Sequence, residues 1–267
     1  MISRIAFIFL ALNMVAAPGF SKTAEIAKVK SNVQPVRILV VGDSLSAEYG
    51  LKRGSGWVAL LENRLAESVN WNEKPRKSSS PNSKITTNNI APQVINTPAT
   101  AENGTKIAPD FTVINASISG DTTSGGRSRL APLIDMHHPT HVIIELGAND
   151  ALRGLPVAKT EENLTAMVQT ALQSKAKVLL VGSQIPPNYG AEFTKQFTAT
   201  YPKVAKANHV GLVPFMLIGV ADSPNFAKLF QADRIHPTEA AQLQILNNIW
   251  PELQKQLKIA STTKAKK

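Results

Sequence analysis

A hydroxyl at Ser44, an imidazole at His236 and a carboxylate at Asp233 are the residue types of nucleophilic acyl transfer. In that chemistry the serine supplies the attacking oxygen and the histidine takes its proton. The aspartate fixes the imidazole tautomer and steadies the imidazolium that forms. Elimination among the histidines also favours His236: His137, His138 and His141 crowd ahead of a strand-like run, and His209 ends a helix-like one. Asp233 and His236 can meet across one turn. Each residue also has a plainer reading, Ser44 as a helix cap and the Asp233/His236 pair as a polar cluster at a helix start.

Acyl transfer further needs donors for a developing oxyanion. Gly120 lies in a glycine-rich turn and Asn149 in the string Gly147-Ala148-Asn149-Asp150. With Gly42-Asp43-Ser44-Leu45 and the run from Asp233 to His236, these strings resemble the blocks of the GDSL, or SGNH, hydrolase family. The likeness is strongest to the bacterial thioesterase, protease and lysophospholipase (arylesterase) subgroup, through 41–47, 115–122 and Glu145-Leu146-Gly147. It runs from about Arg37 to about Leu257, apart from one insertion.

The resemblance implies Ser44 as nucleophile at the start of a helical turn, with Asp233 and His236 as its partners. It implies an oxyanion hole made by the backbone N–H groups of Ser44 and Gly120 and the side-chain amide of Asn149. It also implies hydrolysis of aryl or short-chain esters, acyl thioesters or lysophospholipids through an acyl-serine, with neither a metal nor an organic cofactor. A carbohydrate O-deacetylase is the nearest alternative on the same fold; an ester- or glycan-binding module without catalysis is the alternative from another class. For the donors, too, plainer roles stay open: a left-handed backbone angle at Gly120 and a helix cap at Asn149. Gly42 is read as letting the backbone turn sharply, and Asp43 and Asp150 as structural. A second glycine after Ser44 is missing, so the G-x-S-x-G elbow is not supported.

Strand-like apolar runs at 36–41, 111–116, 141–146, 178–182 and 210–213 must carry these residues. Helical spacing lies between most of them. Trp57, Leu60, Leu61 and Leu65 share one face, and Leu164, Met167, Val168, Ala171 and Leu172 another. The alternation predicts an α/β chain: a flavodoxin-like three-layer α/β/α sandwich on a parallel five-stranded sheet, which the resemblance makes the SGNH hydrolase fold. Ser44, Gly120 and Asn149 each follow a strand, so they share the rim where open α/β sheets bind ligands. Pro237 is expected at the first position of the last helix. The loop 185–190, after the fourth strand, is either an acyl contact or a rigid turn.

Three competing motifs are weaker. The string from Gly120 to Arg127 lacks the Lys-Ser/Thr of a phosphate loop. Asp135, His137, His138 and His141 have metal-ligand chemistry but read as an exposed turn. Ser174 to Lys177 matches S-x-x-K without its companion motifs.

The flanks of the domain are distinct in composition. Arg4, an uncharged run from Ile5 to Val15, and small residues before Pro18-Gly19 predict an export signal over 1–21 and a periplasmic or secreted protein. The hydrolase domain is expected over 36–258. It is interrupted at 70–109 by a Ser/Asn/Thr/Pro-rich stretch too poor in large apolar residues to fold alone. A basic tail follows at 259–267. No cysteine occurs among the 267 residues, which excludes disulfides, a thiol nucleophile and cysteine zinc sites. The net charge of +10 is scattered and carries no aromatic stripe, so no nucleic-acid partner is expected. Peripheral contact with anionic membrane and a monomeric state are the remaining expectations.

Overall fold

The computed structural model describes residues 34–70 and 110–259. The predicted export signal, nearly all of the insertion and nearly all of the basic tail lie outside them. Five strands form the sheet: β1 (Val36–Gly42), β2 (Phe111–Asn115), β3 (His141–Glu145), β4 (Lys177–Val181) and β5 (Gly211–Val213). All pairings are parallel and the spatial order is β2-β1-β3-β4-β5. This is the flavodoxin-like order.

The helices are α1 (Trp57–Asn70), α2 (Thr123–His137), α3 (Ala148–Leu152), α4 (Val157–Gln173), α5 (Ala191–Asn208), α6 (Phe226–Leu229) and α7 (Glu239–Leu257). Two apolar clusters show how they cover the sheet. Leu39, Val41, Val142, Ile144 and Leu180 pack against α2, α4 and α5. Ile38, Val40, Ile143, Leu179 and Val181 point the other way, onto α1 and α7. Because both faces are covered, the central strands are continuous apolar runs instead of alternating ones. The result is a three-layer α/β/α sandwich.

Two expectations need correction. Leu164, Met167, Val168 and Ala171 are buried on α4, but Leu172 is 38 % exposed. Eight residues beyond Leu164 it is rotated about 80° round the helix, off the buried stripe. Pro237 does not start α7: it bridges Phe230 in a short antiparallel contact, and the helix begins at Glu239 after Thr238. Pro237 thus closes the loop that carries His236 and leaves the helix start to Thr238.

The chain leaves β1 for β2 on one side and then enters β3 on the other, so the loops after β1 and β3 diverge over a crevice. Crevices at such switch points bind ligands in open α/β sheets. Ser44 follows β1 and Asn149 follows β3.

Candidate active site

After β1 the chain coils at once. The Asp43 carbonyl accepts the N–H groups of Ser46 (3.2 Å) and Ala47 (2.9 Å), and the Ser44 carbonyl that of Tyr49 (3.4 Å). Ser44 therefore begins a run of helical turns. Gly42 has a different role from the one expected. Its φ is not positive, but a Cβ there would fall 2.8 Å from Glu145 Oε2 and 2.8 Å from Ser46 Oγ. Glycine is needed for room, because Ser46 Oγ donates to Glu145 Oε2 at 2.7 Å directly beneath it.

The loop before α7 brings in the histidine. Asp233 Oδ1 accepts the backbone N–H groups of Ile235 (2.9 Å) and His236 (3.0 Å), a local turn typical of aspartate. Asp233 Oδ2 lies 2.7 Å from His236 Nδ1, and His236 Nε2 lies 2.9 Å from Ser44 Oγ. The His236 backbone N–H, its ring and the Ile235 N–H together hold the Asp233 carboxyl down at about 2. An ionised carboxylate only accepts, so Nδ1 carries the proton and Nε2 is left to accept from the serine hydroxyl. An imidazole bonded in this way can take the hydroxyl proton without reorienting.

Sequence reasoning missed the contacts that fix this loop to the Ser44 turn. Gln231 Nε2 donates to Tyr49 O (2.8 Å) and Pro237 O (3.2 Å), and Gln231 N–H donates to His236 O (2.8 Å). The Tyr49 ring centroid lies 4.4 Å from that of His236. No motif marks an amide at 231; only its contacts in three dimensions do.

Gly120 and Asn149 reach the same rim. Gly120 has φ +78°, the left-handed angle glycine accepts most readily, and its carbonyl accepts Arg153 Nη2 at 2.8 Å. Among the described residues, neither the Ser44 N–H nor the Gly120 N–H has an acceptor. Asn149 lies inside α3, whose cap is Gly147, so it is not the helix cap. Its Nδ2 donates to Asp121 O (3.0 Å) and Asp43 Oδ2 (3.2 Å), joining the loop of Gly120 to the turn of Ser44. Arg129 adds a second tie, pairing with Asp121 (2.8 Å) and donating to the carbonyls of Ala116 and Gly42.

Below the rim lie three buried carboxyls. Asp150 accepts the Thr123 N–H (2.8 Å) and hydroxyl, which anchors α3 to α2. Asp43 accepts the Leu45 N–H (3.0 Å) at Oδ1 and Asn149 at Oδ2, and burial pushes its carboxyl up to about 6. Glu145 is pushed well up by burial first and by the neighbouring Asp43 charge second.

The other motifs stay apart from this site. His138 and His209 cap α2 and α5, and His141 opens β3, buried and pushed down to about 4 by desolvation and then by the charge of Lys177. These positions lie at the amino ends of the strands, opposite the rim that carries Ser44. Among the described residues no group of three or more His, Cys, Asp or Glu could hold a metal ion. Ser174 ends α4 and donates to Ala171 O, while Lys177 opens β4. After β4, Ile185 is buried and Tyr189 is 39 % exposed.

Comparison with known proteins gives a consistent picture. The GDSL-like lipase/acylhydrolase family matches residues 93–243, which include Gly120, Asn149, Asp233 and His236 but not Ser44. Esterase TesA of Pseudomonas aeruginosa is 41 % identical over 216 residues, 81 % of this chain and 87 % of that protein. Thioesterase 1/protease 1/lysophospholipase L1 of Escherichia coli is 33 % identical over 217 residues, 81 % of this chain and 83 % of that one. The structure of a psychrotrophic esterase, EstA from Pseudoalteromonas sp., inhibited by monoethylphosphonate, superposes with a TM-score of 0.64 at 34 % identity. It covers 83 % of this chain and 98 % of that one.

Proposed function

The chain belongs to the GDSL-like lipase/acylhydrolase family and is a serine hydrolase of ester bonds, and on that premise we propose that Ser44, His236 and Asp233 carry the reaction. The observation that carries the assignment is His236, bonded at one nitrogen to Ser44 and at the other to Asp233. His236 takes the Ser44 proton as Oγ attacks the acyl carbon. The oxyanion is held by the N–H groups of Ser44 and Gly120 and by the Asn149 amide, which shares with it the longer of its two bonds, that to Asp43. Collapse of the tetrahedral species breaks the bond to the leaving alcohol or thiol, which takes the proton from His236. Water, deprotonated by the same imidazole, then releases the acid and restores Ser44.

The substrate reading is aryl or short-chain esters, acyl thioesters and lysophospholipids, in line with the names of the relatives. Export through residues 1–21, a hydrolase domain over 36–258 and a monomeric state complete the proposal.

Two measurements test it. Treatment with an organophosphate should modify Ser44 alone and stop turnover; modification elsewhere with Ser44 intact refutes the assignment. A kinetic panel of nitrophenyl esters of rising chain length, an acyl-CoA, a lysophospholipid and an acetylated sugar, with Ser44→Ala as control, sorts the substrate class. Preference for the acetylated sugar would replace this reading by the O-deacetylase.

A further inference from the structure

Asn149 presents an unusual problem for an oxyanion donor. Its amide has two hydrogens, and both have acceptors: Asp121 O at 3.0 Å and Asp43 Oδ2 at 3.2 Å. The first acceptor is a backbone carbonyl on the loop of Gly120. The second is a side chain one residue before Ser44. Asp43 is itself fixed on three sides. Its Oδ1 takes the Leu45 N–H (3.0 Å), its backbone N–H leans on Glu145 Oε2 (3.4 Å), and its carbonyl caps the turn that begins at Ser44.

Glu145 is held in turn by a chain that the reaction does not use. Trp57 Nε1–H donates to Ser46 Oγ (3.2 Å), and the Ser46 hydroxyl donates to Glu145 Oε2 (2.7 Å). All four side chains are buried: Asp43 to 1 %, Ser46 to 1 %, Glu145 to 2 % and Trp57 completely. A buried network of this kind persists only when its polar atoms are paired and oriented. Two carboxyls buried so close cannot both ionise easily. The donors decide between them: Asp43 receives an N–H at each oxygen, the pattern of a carboxylate, whereas both donors to Glu145 reach the same oxygen and leave the other free to carry a proton.

We propose that Asp43 is a positioning residue for catalysis: its carboxylate aims the Asn149 amide at the oxyanion site, with protonated Glu145 and the Trp57–Ser46 chain holding it in place. This rests on the assignment of Asn149 as an oxyanion donor. An amide oriented in this way has only to share the longer bond, that to Asp43, with the oxyanion and does not have to turn when charge develops on the substrate, which is where such donors gain their effect. Asp43 touches neither substrate nor the reacting atoms and acts through Asn149. The titratable groups acting on it are His236, which favours its charge, and Asp121 and Asp150, which oppose it, while the Asp43 charge in turn helps to keep Glu145 protonated.

The experiment is a double-mutant cycle on the full chain with a soluble short-chain nitrophenyl ester. Asn149→Ala alone should lower kcat by about 10²- to 10³-fold. Asp43→Asn alone, which sets an amide against an amide, should lower kcat by about tenfold or more with KM within about twofold. Combined, the two should lose no more than about threefold beyond Asn149→Ala, because Asp43 has nothing left to position. Losses that multiply, or wild-type kcat in folded Asp43→Asn, overturn the proposal. Wild-type turnover in Asn149→Ala removes the oxyanion assignment itself and is read separately. Should Asp43→Asn fail to fold, the Asn149 side-chain NH₂ resonances in Ser44→Ala protein serve instead. They should shift as the pH is lowered from 7.5 to 4.5 and Asp43 takes up a proton; resonances that stay fixed across that range overturn the proposal equally.

Discussion

Asp233 and Asp43 stand on opposite sides of the Ser44/His236 contact, and their surroundings drive them in opposite directions. Asp233 lies on an open loop and receives three N–H donors, two from backbone and one from the imidazole, so its carboxyl is held down at about 2. Asp43 is buried, faces Glu145 and keeps two donors, so desolvation lifts it to about 6. Residue type does not set these roles. A carboxylate that must stay charged beside a histidine is surrounded by oriented N–H groups; one that orients a neighbouring amide can sit in the interior, where its charge is costly.

The sharpest way to break this comparison is to remove the charge on the exposed side. Asp233→Asn should lower kcat/KM by on the order of 10⁴-fold, because the tautomer of His236 is then no longer specified, and Ser44→Ala by on the order of 10⁶-fold, because no attacking oxygen is left. Steady-state hydrolysis of a nitrophenyl ester reads both, and retention within tenfold in Asp233→Asn would make Asp233 an ordinary turn residue. On the buried side, Asn149→Ala should cost about 10²- to 10³-fold in kcat. Near-normal turnover in folded protein would leave Asp43 with no catalytic amide to hold.

Smaller effects concern stability. Gly42→Ala would force a methyl to within 2.8 Å of Glu145 Oε2 and Ser46 Oγ. That crowding should cost about 1–3 kcal/mol, seen as a lower denaturant midpoint; an unchanged midpoint would show that the Ser46–Glu145 bond is free to move. The smallest effect is the pH dependence. The Asp43 carboxyl is raised above its ordinary 3.8, so its contribution to stability is full below that value and is lost as the pH rises through about 6. Asp233 has the opposite sign: its contribution is present above 3.8 and lost as the pH falls through about 2. Urea unfolding at pH 4.5, 5.5 and 6.5 should therefore show a decline with pH in the wild type that becomes shallower in Asp43→Asn, where only the raised Glu145 carboxyl still contributes with that sign. Identical slopes in the two proteins would contradict the buried assignment.

Much of this molecule is legible in its residue pattern. The runs at 36–41 and 141–146 announce β1 and β3 because strands covered on both faces are apolar throughout. The placement of Ser44, Gly120 and Asn149 just after strands foretells a shared rim. Less legible are Leu172, which helical spacing puts at the margin of the stripe, where the neighbouring elements decide its exposure, and Pro237, whose ring suits a helix start as well as the bridge it makes. Gln231 and Arg129 left no local signal, and nothing local showed that Trp57, Ser46 and Glu145 bond to one another.

What the sequence determined by itself was the order of strands and helices, the residue types of the chemistry and the turn in which Asp233 meets the His236 amide. These depend on spacings of a few residues, where backbone geometry is nearly independent of the rest of the chain. What only the tertiary structure decided was the meeting of His236 with Ser44 across 192 residues, the locking of Asn149 between two loops and the raised carboxyl of Asp43. Hydrogen bonds between distant segments require the sheet to be assembled. Desolvation belongs to no single residue, because it is the sum of everything packed around it.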